Sequence, residues 1–252
     1  MAKEKLTDVE FWEEFWQTRN TGMPAKPPSM LQVQFGRWLP RNPEWTVIEI
    51  GAFPGTHLMA LALSHGYRPV ALDNLPAITE LPRAAEQFGI RDLEVLQQDF
   101  LAWRTSRQFN VVLSLGFIEH FSNPNEVLAK QWKLVSTGGF LVMSVPLANF
   151  VQNEVRRLTF DRKELAEIDE GHNVKIMTYA GFDGICRAIP DARRVFFGPV
   201  GHMMLWHDAN APYIKRHRLF RLAQYASHVP KMLNWSSRLF SPAIMLIAQK
   251  QK

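Results

Sequence analysis

The chain has 252 residues, 46% of them hydrophobic and 21% charged, with a net charge of +5. This suits one well-packed α/β domain with elaborations or two small domains, in the proportions of an ordinary water-soluble protein. A single cysteine, Cys186, excludes an internal disulfide framework and a cysteine-built zinc site, and predicts a reducing, cytoplasmic setting.

Met1 to Lys5 leads into acidic residues without an apolar stretch, which predicts no signal peptide. Apolar runs such as Phe140–Val145 are of strand length and too short to span a bilayer. Thr7-Asp8-Val9-Glu10 has the capping-box pattern. Behind it Phe11, Trp12, Phe15 and Trp16 recur at helical spacing and predict an amphipathic helix over about residues 8–19. Packing of that aromatic stripe into the core is the default expectation, and a lid over an active site the sharper one. Gly22, Pro24, Pro27 and Pro28 mark a loop, and a helix over residues 31–39 ends before Pro40.

From Trp45 short apolar runs alternate with helical patterns: Thr46–Ile50, Pro69–Leu72, Leu93–Leu96, Asn110–Leu115 and Phe140–Val145. Such an alternation predicts a parallel sheet buried on both faces, with a helix in every crossover. Polar helical segments follow in 150–192, with a loop at Gly171-His172 and a helix from Thr178 to Ala188. Arg193–Phe197, continuing towards His202–Trp206, and Ala243–Ala248 are the last strand candidates. The fold expected is a doubly wound α/β sheet of seven mostly parallel strands, the last antiparallel. N-terminal helices precede it, and a helical insertion at about 213–240 precedes the last strand. Lys215, Arg216, Arg218, Arg221, Lys231 and Arg238 make that insertion basic, opposed late in the chain by Asp208. A solvated or dimer-packing face is the simpler reading, and peripheral membrane contact the sharper one.

Glu49-Ile50-Gly51-Ala52-Phe53-Pro54-Gly55-Thr56 stands where the first strand turns into a helix. Glycines there permit positive φ and let backbone N–H groups approach a ligand. A G-x-G-x-x-G dinucleotide fingerprint would need glycines at 53 and 56, where the chain has Phe53 and Thr56. Asp73-Asn74 ends the second strand, and a carboxylate there can accept two ribose hydroxyls. Asp99-Phe100 follows the third strand, Ser114 to Phe121 follows the fourth, and Gly138-Gly139 precedes the fifth.

With these motifs, residues 45–146 resemble the core of class I (Rossmann-like) S-adenosylmethionine-dependent methyltransferases of the small-molecule or glycan type. Ala248-Gln249-Lys250 looks like the end of that family's closing antiparallel strand. The resemblance implies one methyltransferase domain over 1–252: a helical cap at 1–40, a cofactor core at 45–146 and acceptor-side elements at 147–252. It implies S-adenosylmethionine as cofactor, held by Glu49, Gly51, Ala52, Phe53, Gly55, Asp73, Asn74, Asp99, Phe100 and Leu115. In that pattern Glu49 orders the loop and the ammonium end, Asp73 takes the ribose, and Asp99 with Phe100 takes the adenine. Phe53 replaces the family's usual middle glycine. His120 and His172 are the candidate bases, while His57 reads as helix-start packing, with cofactor contact as the alternative, and His202 and His207 as structural.

In related O-methyltransferases a Glu-His pair joins an upstream Glu to hold a divalent metal. Here that upstream position is Gly116, so no metal is expected. A Pro-Pro-aromatic motif after the fourth strand would suggest a nucleic-acid amino group as acceptor, but the chain has Ser114-Leu115-Gly116-Phe117, and no nucleic acid is expected. The function implied is methyl transfer to an oxygen, less readily a nitrogen, of a small molecule or glycan. A non-catalytic scaffold that keeps the fold is the alternative, kept open by Phe53.

Overall fold

The structure is a computed structural model, described over residues 4–18, 31–160, 162–201 and 236–251. The expected 21–29 loop, the His202–Trp206 strand extension, His202, His207 and the insertion as far as residue 235 lie outside the described residues. The tail of that insertion, 236–240, is coil and turn rather than helix. Among the described residues no helix is long and apolar enough to cross a membrane.

The β-branched run Thr46–Ile50 forms β1. It is joined by β2 (Arg68–Asp73), β3 (Glu94–Gln97), β4 (Phe109–Leu115), β5 (Val135–Pro146), β6 (Ala192–Val200) and β7 (Ala243–Lys250) in one seven-stranded sheet. The strand order is β3-β2-β1-β4-β5-β7-β6. The first five strands pair in parallel, and β7 runs antiparallel to both β5 and β6. This is the expected fold. Its order reverses between β1 and β4, where the strand ends leave a crevice.

The helices are α1 (Val9–Thr18), α2 (Gln32–Trp38), α3 (Thr56–His65), α4 (Leu81–Glu86), α5 (Pro124–Leu134), α6 (Phe150–Thr159), α7 (Arg162–Glu170) and α8 (Tyr179–Arg187). Period-two alternation splits the core. Ile48, Ile50, Val70 and Leu72 pack with residues of α5 and α8, and Val47, Ala71 and Leu113 with residues of α2, α3 and α4. Glu49 therefore shares the face of Val47 and meets α3.

Two local expectations are corrected. No helix spans β3 to β4. Residues 98–108 form a loop whose carbonyls at Phe100, Leu101 and Trp103 accept from Lys130 Nζ at 2.5, 2.7 and 2.8 Å. The Arg104 guanidinium donates to the carbonyls of Leu101 and Ala102. Two cations thus satisfy acceptors that a helix would have satisfied internally. Gly138 and Gly139 lie inside β5 rather than before it, where its pairing with β4 jumps from Phe109↔Val135 to Val111↔Phe140. A Cβ on Gly139 would lie 2.7 Å from the Asn110 carbonyl oxygen.

At the far side of the sheet Val200, the end of β6, is paired with Ala243, the start of β7. Ala243 also pairs with Pro146 at the end of β5, on the edge where the crevice opens.

Candidate active site

A cavity of about 310 Å³ occupies the crevice. Glu49, Gly51, Ala52, Phe53, Gly55, Asp73, Asn74, Asp99, Phe100, Leu115 and His120 all lie on its wall. Of the candidates only His172 stands behind it, its ring 4.5 Å from that of His120.

The loop after β1 is held by the end of β2. The Gly51 and Ala52 amides both donate to the Leu72 carbonyl, at 2.9 and 3.2 Å, and the Phe53 amide donates to Asp73 Oδ2 at 3.0 Å. Gly51 has φ +70°, and a Cβ there would lie 2.6 Å from the Phe117 ring. Glycine is required twice over, by conformation and by space. The Phe53–Pro54 peptide is cis, and Gly55 at φ +77° leads into α3.

Glu49 Oε2 accepts from the Leu58 amide at 3.1 Å, tying β1 to the first turn of α3. Burial pushes its carboxyl up to about 8. The Leu58 amide opposes this and the charge of Asp73 adds to it. Asp73 is also raised by burial, against the amides of Phe53, Leu75 and Asn74. Its Oδ1 accepts from Leu75 at 3.1 Å, so both oxygens accept from the backbone while the side chain borders the cavity.

Asp99 Oδ1 accepts from the Leu101 amide at 2.8 Å, and Oδ2 pairs with the Lys5 ammonium. Burial alone would raise Asp99, but Lys5 and the loop amides outweigh it and the carboxyl lies below the ordinary range. Lys5 is there because residues 4–6 add a short strip to residues 120–122. The Leu6 amide donates to the His120 carbonyl at 2.9 Å, the Ser122 amide donates to the Glu4 carbonyl at 3.1 Å, and Lys5 bridges Phe121.

The strip delivers α1 across the cavity. Asp8, not Thr7, caps that helix, accepting from the Phe11 amide at 3.0 Å. The Thr7 hydroxyl instead accepts from the Trp12 indole N–H at 3.1 Å, as a partly buried indole requires. Trp12 and Trp16 line the cavity, edge-on to His120 and Phe53 with ring centroids 4.8 and 5.6 Å apart. The default expectation of core packing is corrected, since Phe11 is exposed and Trp12, Phe15 and Trp16 are half-buried.

His120 Nδ1 is 2.9 Å from the Gly171 carbonyl oxygen. A carbonyl can only accept, so Nδ1 carries the proton and Nε2 keeps the lone pair. Burial, with His172 nearby, lowers His120 to about 3, and the ring is neutral at physiological pH. Glu119 is fully buried, with no hydrogen-bond partner on either carboxyl oxygen, and burial pushes it up to about 8. A Cβ on Gly116 would lie 3.5 Å from Glu119 Oε1. Among the described residues no group of three or more His, Cys, Asp or Glu is placed to hold a metal. His57 lines the cavity as well as opening α3, and burial lowers it to about 4.

Several wall residues, among them Lys5, Thr7, Asp8, Gln98, Phe117 and Phe121, were not site candidates in the sequence. Most arrive through pairings between distant segments. Phe117 and Phe121 were within reach, in the Ser114–Phe121 segment that also holds His120.

A methyltransferase-domain family profile matches residues 14–192. No curated protein matches the chain significantly. A chain of the complex between the Haloferax volcanii Trm112 methyltransferase activator and a methyltransferase superposes with TM-score 0.65 at 16% identity, covering 97% of this chain and 98% of that one. An S-adenosylmethionine-dependent methyltransferase of Thiobacillus denitrificans, bound to S-adenosylhomocysteine, gives 0.60 at 12% identity over 97% and 100%. Coclaurine N-methyltransferase, bound to N-methylheliamine and S-adenosylhomocysteine, gives 0.58 at 14% identity over 88% and 72%. At such identities the likeness of structure shows the fold.

Proposed function

Since the chain belongs to the S-adenosylmethionine-dependent methyltransferase family, we propose that it methylates an oxygen, in preference to a nitrogen, of a small molecule or glycan. The observation that carries this reading is the His120 tautomer: a neutral ring on the cavity wall with its lone pair on Nε2. A hydroxyl must lose its proton as it is methylated, and a base in reach of it provides the route.

The cavity fits the cofactor. Gly51 offers a wall without a side chain, Asp73 a carboxylate for a ribose, and Asp99 with Phe100 a polar and an apolar partner for an adenine. When bound, S-adenosylmethionine supplies a methyl group already activated on a sulfonium, so no covalent enzyme intermediate is needed. The protein's own part is to orient the two reactants, exclude water and accept a proton. We read 1–40 as the cap, 45–146 as the cofactor core and 147–252 as the acceptor side of one domain. The scaffold alternative rested on Phe53. That residue is built into the loop through the hydrogen bond its amide donates to Asp73, with the cavity retained beside it.

Calorimetric titration with S-adenosylhomocysteine tests the reading. Wild type is expected to bind and Asp73→Ala to lose most of the affinity. No binding by wild type, or equal binding by the variant, sinks it.

A further inference from the structure

We propose, building on the methyltransferase reading above, that the acceptor is an uncharged aromatic compound whose reacting hydroxyl sits on the ring, held against Trp12 and Trp16 beside His120. Much of the cavity wall around His120 is made of rings. Trp12 stands edge-on to His120, and Trp16 edge-on to Phe53. The Trp12 indole is fixed by its bond to Thr7, so its ring is presented in one orientation without further ordering on binding. Flat aromatic surfaces recognise another ring through stacked or edge-to-face contact.

The same wall argues against the other small-molecule classes. An anionic acceptor needs a cation, and the only Lys or Arg on the cavity wall among the described residues is Lys5, already paired with Asp99. A sugar would bring several hydroxyls to the part of the wall around Trp12, where the polar groups are engaged. Thr7 accepts from Trp12, Asp8 caps α1 and His120 Nδ1 donates to Gly171. Each hydroxyl buried there without a partner would weaken binding.

The chemistry agrees. The oxygen forms its bond to the methyl carbon as the carbon–sulfur bond breaks. The sulfur keeps that electron pair and leaves as a neutral thioether, and the hydroxyl proton passes to His120 Nε2. A phenolic hydroxyl gives up its proton far more readily than an alkyl alcohol, so it asks less of a base that burial has weakened.

Matched pairs of probes test the proposal. Catechol and 2-naphthol would be compared with cyclohexane-1,2-diol and decahydro-2-naphthol by calorimetry in saturating S-adenosylhomocysteine, with glucose and benzoate alongside. Each aromatic member is expected to bind about tenfold or more tightly than its saturated partner. Trp12→Ala and Trp16→Ala should each erase most of that ratio, and Trp12→Phe should keep it. Methyl transfer from S-adenosylmethionine should then appear on the ring oxygen. Binding of S-adenosylhomocysteine without binding of either aromatic probe would overturn this proposal alone, as would equal binding of the saturated partners, of glucose or of benzoate. Failure to bind S-adenosylhomocysteine would overturn the parent reading instead.

Discussion

Lys5 and Asp99, 94 positions apart in the chain, form an ion pair on the cavity wall. The two side chains are 31% and 38% exposed, so the pair contributes no more than about 1 kcal/mol. Lys5→Met is expected to cost less than that in chemical denaturation. Asp99→Asn should weaken S-adenosylhomocysteine about tenfold by removing a charged acceptor. Unchanged affinity in that variant would remove the adenine role assigned to Asp99.

Gly51→Ala meets two obstacles, a left-handed backbone and the Phe117 ring at 2.6 Å. We expect a loss of about 1–3 kcal/mol in stability, together with loss of S-adenosylhomocysteine binding. Adding Phe117→Leu should recover part of the stability, since it relieves the clash but not the φ strain. A Gly51→Ala protein as stable as wild type would show that the loop moves freely.

Glu49 couples the site to pH. Burial raises its carboxyl to about 8, so at pH 7 it is mostly protonated in the free protein. If it faces the ammonium end of the cofactor, binding favours the carboxylate and expels a proton. Titrations at pH 7 in buffers of different ionisation enthalpy should report release approaching ~1 proton per site. Glu49→Gln should report none. Proton uptake by wild type has the opposite sign and would contradict this placement.

His120, lowered to about 3, stays neutral well below the ordinary histidine range. The pH profile of kcat should therefore show no inflection near 6.5. His120→Asn should lower kcat by about 10²–10⁴ with S-adenosylhomocysteine affinity preserved, and His172→Asn by less. A wild-type inflection near 6.5 would assign the proton to another group.

The part of the cavity wall built by Glu49, Gly51 and Asp73 was legible in the sequence because its signals are local. Glu49, Gly51 and Asp73 each stand at a strand end that a short apolar run announces, and the turn chemistry follows within a few residues. The other side depends on contacts that no local pattern encodes. Trp12 and Trp16 show helical spacing whichever surface they meet, and what turns them to the cavity is the pairing of residues 4–6 with 120–122. The helix expected between β3 and β4 failed for a similar reason. Lys130, distant in sequence, supplies the donors that let residues 98–108 remain a loop. Thr7 matched the capping pattern, but the nearby indole took its hydroxyl.

The pairing of Val200 with Ala243 fixes both exits of residues 201–242 side by side on the rim that carries the site. The Ser241 hydroxyl donates to the Gly201 carbonyl at 3.0 Å and draws those exits together again. Closing a loop costs little more as it lengthens, about 0.6 kcal/mol per doubling. Whatever these two posts carry can therefore be exchanged for a longer or shorter segment while the seven strands beneath keep their register.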